Sequence, residues 1–173
     1  MSDAVRNWLE NDELFAEQLE VGHRFARRVA ARLRSHGLQV KVTPKRWRRT
    51  LADRHAFADE HDLTVGARRP CRIDVKSRGL SFRDGDPATF PYPRAFVETE
   101  RGWKRKRRRP LAIVLVSQPT DGVLVVPVST APTWKAVERY DEARGITDRF
   151  LTIRRDQLRT LTELAWWLQE REQ

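Results

Sequence analysis

Hydrophobic positions along the chain fall into a few organised runs. Leu14, Val21, Phe25, Val29 and Leu33 recur at helical spacing and predict a helix over about 12–36, with Asn11 or Asp12 as its cap. Gly37 then stands where a left-handed C-terminal stop is favoured. Leu38 to Val42 alternates like a short strand, whereas residues 50–61 are polar and carry no clear period. A hairpin follows, with arms 62–66 and 70–78 joined by a turn at 67–69. Residues 79–93, rich in Gly, Pro, Asp and Phe, read as a long loop of the functional or mobile kind. Residues 95–99 read as a strand or the start of a short helix. The near-continuous aliphatic runs 111–117 and 123–129 are the strongest strand signals. Residues 133–143 are predicted helical, and 155–171 form a final helix whose Leu158, Leu161, Leu164, Ala165 and Leu168 make one apolar stripe. The order predicts a single α/β domain with helices packed on a sheet.

The hairpin DLTVGARRPCRIDVKSR, residues 62–78, carries the candidate chemistry. A three-residue turn pairs Val65 with Cys71, Leu63 with Ile73 and Asp62 with Asp74. Strand alternation then puts Leu63, Val65, Cys71, Ile73 and Val75 on one face and Asp62, Asp74 and Lys76 on the other. Opposed carboxylates with Cβ atoms roughly 4.5–5.5 Å apart repel each other and destabilise a sheet. A divalent cation between them reverses that penalty, and Mg2+ suits a site with one or two carboxylates and several waters. Lys76, two residues along, can orient or deprotonate an attacking water or neutralise charge on a phosphate. Lysine is scarce here, six against 28 arginines, and only Lys76 has an acid two residues before it. The plain structural alternative is an exposed hairpin face bearing an Asp–Lys ion pair.

Charge changes the picture once it is located. The net charge is +10, yet residues 41–49 hold five basic residues and 101–109 hold seven, with no acid in either. The rest of the chain is therefore slightly acidic, and the two runs read as a footprint for a polyanion. Trp47 and Trp103 are placed to stack on unpaired bases while Lys45, Arg46, Lys104, Lys106 and Arg107 neutralise phosphates. Neither run has an apolar helical face for lipid, no stretch is long enough to span a bilayer, and residues 1–9 lack a secretory layout. No membrane partner and a cytoplasmic location are the expectation. Cys71 stands alone, which excludes an internal disulfide and a thiolate metal cage. The four histidines show no paired ligand spacing, and no phosphate loop or nucleophile elbow is present.

Asp62 followed by Asp74-Val75-Lys76 resembles the PD-(D/E)xK, or restriction-endonuclease-like, superfamily. The resemblance implies a central mixed β-sheet flanked by helices, Mg2+ or Mn2+ as cofactor, and hydrolysis of nucleic-acid phosphodiesters, DNA first. Gly22-His23-Arg24-Phe25, with Val29, Leu33 and Gly37, resembles the helix with which many such nucleases begin. Two positions depart from the pattern. His61 stands where proline often precedes the first acid, and Ala26 where many members place a metal-assisting Glu; Glu20 is carried as a candidate metal ligand instead. Cutting both strands of a duplex would call for a homodimer. The alternative is a non-enzymatic nucleic-acid-binding module on a degenerate nuclease fold, and an RNA-directed nuclease would share the same hydrolytic core.

Overall fold

The structure, a computed structural model, describes residues 3–44, 61–141 and 145–173, with side chains from Glu17 onward. Helix α1 spans Asp3–Ser35. It begins well upstream of Asp12, because Ala4, Val5, Trp8 and Leu9 continue the helical spacing; Asn11 and Asp12 lie inside the helix rather than at its start. Its end follows expectation. Gly37 takes a positive φ of 81°, its N–H reaches Arg34 O at 2.8 Å and the Leu38 N–H reaches Leu33 O at 3.3 Å, the Schellman pattern.

The main sheet contains β1 (Val40–Val42), β2 (Leu63–Val65), β3 (Cys71–Arg78), β5 (Ala112–Ser117) and β6 (Val123–Pro127), in that spatial order. Among the described strands only β3–β5 is parallel, so the sheet is mixed. A second, antiparallel sheet has the order β4 (Arg94–Thr99), β8 (Ile146–Arg154), β7 (Lys135–Asp141). Helix α2 (Glu100–Arg105) follows β4, and α3 (Leu161–Glu172) ends the chain. The architecture is thus α/β, with a five-stranded mixed sheet, a three-stranded sheet and helices.

Alternation divides the core in two. Ile73, Val75, Ala112, Val114, Val116, Val123 and Val125 pack with Phe25, Ala26, Val29, Ala30 and Leu33 of α1 and with Leu161, Leu164, Ala165 and Leu168 of α3. The opposite side, Ile113, Leu115, Leu124 and Val126, packs with Ala95 and Val97 of β4, Ile153 of β8, and Phe82, Phe90, Trp103 and Leu158. The helices therefore cover one face and the small sheet covers the other.

Two sequence expectations are corrected at this second layer. Residues 135–141 form strand β7, not a helix, and β8 is an element the pattern did not announce. KAVERYD fits either period over so short a span; seven residue pairings with β8, from Lys135↔Thr152 to Asp141↔Ile146, decide it. The final helix starts at Leu161 rather than Arg155. Thr160 Oγ1 accepts the Glu163 N–H at 3.1 Å and Glu163 Oε2 accepts the Thr160 N–H at 2.6 Å, a full capping box. Leu158 thus leaves the expected stripe and packs with the opposite core.

The long loop 79–93 is stitched down. Phe82 and Phe90 meet with ring centroids 5.5 Å apart. Asp84 takes two hydrogen bonds from Arg32 of α1, at 2.7 and 2.8 Å, and one from the Val123 N–H at 3.0 Å. Its backbone lies so close to Gly122 that a Cβ there would stand 2.1 Å from Phe82 O. Gly122→Ala should therefore lower unfolding free energy by about 3 kcal/mol in urea denaturation, while Gly79→Ala, with nothing within 4 Å of its Cβ, should change it by less than about 1 kcal/mol.

Candidate active site

The hairpin register is the one the sequence predicts: Leu63 pairs with Ile73, Thr64 with Arg72 and Val65 with Cys71. The turn between them is held from outside, since the Glu172 carboxylate at the end of α3 accepts the N–H groups of Ala67, Arg68 and Arg69 at 2.8–3.1 Å. Asp62 lies just before β2, close enough to Asp74 for the two charges to act on each other. Asp62 Oδ2 accepts the Val75 N–H at 2.6 Å, so the first acid is fixed to the strand that carries the second. Burial raises the Asp62 carboxyl above its usual value; the Val75 amide opposes the shift and the Asp74 charge reinforces it.

Asp74 and Lys76 lie on the β3 face that meets the second layer. Asp74 retains only 3% of its surface. Its Oδ2 pairs with Lys106 Nζ at 2.8 Å, while its Oδ1 is buried with no hydrogen-bond partner among the described residues. Lys76 Nζ pairs with Glu98 Oε2 at 3.0 Å, and the Lys76 side chain keeps 32% of its surface toward solvent. Burial works against the ammonium, but the charges of Glu98 and Asp74 outweigh it and hold the Lys76 pKa above its usual value. Burial likewise opposes ionisation of Glu98, yet Lys76 and the Thr99 amide bring its carboxyl below the usual range.

Glu98 reaches this cluster through a β-bulge. On β4, Ala95 pairs with Ile153 and Phe96 with Thr152, but Glu98 pairs with Leu151, leaving Val97 as the extra residue. Simple alternation would turn Glu98 outward with Phe96. The bulge turns it inward beside Val97, toward Lys76. Arg78, two residues beyond Lys76 on the same strand face, donates to Phe96 O at 3.1 Å and Val97 O at 3.2 Å and so satisfies the carbonyls at the irregularity.

Lys106 and Trp103 occupy other roles than those expected. Lys106, at the C-cap of α2, turns into the cluster instead of lying on an open phosphate-binding surface; 12% of its side chain is exposed. Trp103 is buried, packs on Trp134 with centroids 5.0 Å apart and lies 4.8 Å beneath the Arg109 guanidinium, so its ring is engaged in packing rather than presented to a base. Lys104 is exposed and pairs with Glu100 at 2.9 Å, and Arg107 is exposed. Lys45, Arg46 and Trp47 lie outside the described residues.

Glu20 is not brought to the carboxylates. The buried stripe of α1 packs against the Ile73–Val75 face of β3, whereas Asp74 and Lys76 face the other way. Ala26 is in that buried stripe. Among the described residues, no group of three or more His, Cys, Asp or Glu could hold a metal ion. Two neighbouring carboxylates, one with a buried open oxygen, nevertheless fit a hard cation such as Mg2+, which commonly takes one or two protein carboxylates and completes its shell with water.

The chain matches no protein-family model, no curated protein and no solved structure. The Lys76–Glu98 pair has its own test. Glu98 has a folded-state pKa below the ordinary 4.5, so its stabilising contribution is present above that pH and lost as pH falls through the folded value. Glu98→Gln should therefore be less stable than wild type at pH 7, with the gap in thermal midpoint closing as pH falls below the ordinary 4.5 and through the lower folded value.

Proposed function

We propose that the chain is a divalent-metal-dependent nuclease on a restriction-endonuclease-like fold, hydrolysing phosphodiester bonds, most naturally of DNA. The observation that carries this reading is Asp74: a nearly buried carboxylate close enough to Asp62 for their charges to interact, with one oxygen open and a lysine two residues along the same strand. Asp62 and Asp74 would hold Mg2+ or Mn2+. Bound there, the ion supplies Lewis acidity toward a phosphoryl oxygen and lowers the pKa of a coordinated water.

The remaining work falls to the chain's own side chains. Lys76, held charged by Glu98, acts as a fixed cation that orients water or neutralises charge developing on a phosphate; its raised pKa speaks against service as a proton acceptor at neutral pH. Glu98 positions Lys76 and touches no substrate in this scheme. The exposed basic residues of 101–109, among them Lys104, Arg105, Arg107 and Arg108, adjoin Lys106 and suit the approach of a polyanion. One observation favours the non-enzymatic reading: a lysine of the chain itself, Lys106, already pairs with Asp74.

The two readings separate in a cleavage assay over linear, circular, single-stranded and branched DNA plus RNA, with Mg2+ or Mn2+. A nuclease should cut at least one substrate only with metal, and Asp74→Ala and Lys76→Ala should each reduce the rate by roughly 100-fold or more. Salt-sensitive binding without cleavage of any substrate would favour the binding module.

A further inference from the structure

The Asp74 carboxylate already has a cation against it. Lys106 Nζ lies 2.8 Å from Asp74 Oδ2, and both side chains are largely withdrawn from water, at 12% and 4% exposure. Lys106 comes to this point from a different element, the end of α2, which is anchored by Trp103 through its contacts with Trp134 and Arg109. Each of its neighbours Arg105, Arg107 and Arg108 is exposed, so Lys106 is the member of the basic run that turns inward. An ammonium answers one carboxylate oxygen and leaves Oδ1 of the same group open. A divalent ion would satisfy the carboxylate more fully, and two cations against one buried carboxylate repel each other.

We infer that Lys106 is an exchangeable counter-ion, which stabilises Asp74 whenever no metal is bound and withdraws when a divalent cation takes the carboxylate. This rests on the metal-site reading above and adds a competition to it. Metal affinity is then set partly by how firmly α2 holds Lys106 over the carboxylate, and the withdrawn ammonium becomes accessible to solvent.

Both consequences are measurable without following catalysis. In the wild-type protein, acetic anhydride labelling read by mass spectrometry should modify Lys106 slowly, and saturating Mn2+ should raise its labelling about tenfold relative to Lys104, whose side chain is 71% exposed. By calorimetry, Lys106→Met should bind Mn2+ about tenfold more tightly than wild type, and Asp74→Asn should bind it more weakly than either. Equal Mn2+ affinities for wild type and Lys106→Met, with Lys106 labelling unchanged at saturation, would overturn the exchange while leaving the metal site standing. If wild type and Lys106→Met both bind no Mn2+, the metal-site reading itself fails and the exchange with it. The labelling arm uses unaltered protein and stands even if Lys106→Met fails to fold.

Discussion

A carboxylate in the middle of a five-stranded sheet, withdrawn from water on all sides, has to be answered. Asp74 is that group, and much of the surrounding architecture follows from it. Its strand carries three polar side chains in succession on one face, and each is met by the second layer: Asp74 by Lys106, Lys76 by Glu98, Arg78 by the carbonyls of Phe96 and Val97. Removing one partner from such a buried pair commonly costs about 3–5 kcal/mol, because the other charge remains behind. The seam between the layers is consequently polar along β3 and apolar along β5 and β6, where Ile113, Leu115, Leu124 and Val126 supply the packing.

What was legible in the sequence is what depends on local pattern. The register of the hairpin follows from a short turn and period-two alternation, so the common face of Asp74 and Lys76 was readable from residues 62–78 alone. The aliphatic runs of β5 and β6 and the stripe of α1 were readable for the same reason. Glu98 was not, because a bulge changes which side of a strand a residue takes and leaves no mark in the spacing of Ala95 and Val97. Strands β7 and β8 were missed because neither has a buried, regularly alternating face along its whole length; pairing across the chain defines them.

The basic run shows the same limit from another side. Seven positive charges and a tryptophan within nine residues look like a surface for nucleic acid. Composition does not say which of those side chains point inward. Trp103 serves as the peg that fastens α2 to the second layer, in contact with Trp134 and with the Arg109 guanidinium. That peg lets one lysine reach the sheet while its neighbours stay in solvent.

The β-bulge at Val97 has a consequence for how the cluster comes into being. Asp62, Asp74 and Lys76 belong to the hairpin, but Glu98 and Lys106 arrive on β4 and α2, and β4 is secured by β8 from much later in the chain. A partly folded molecule with only the helix-covered half of the main sheet in place would hold the acids and Lys76 without their partners. The charge cluster is therefore a joint product of the two layers, complete only where β4 and α2 are closed over β3.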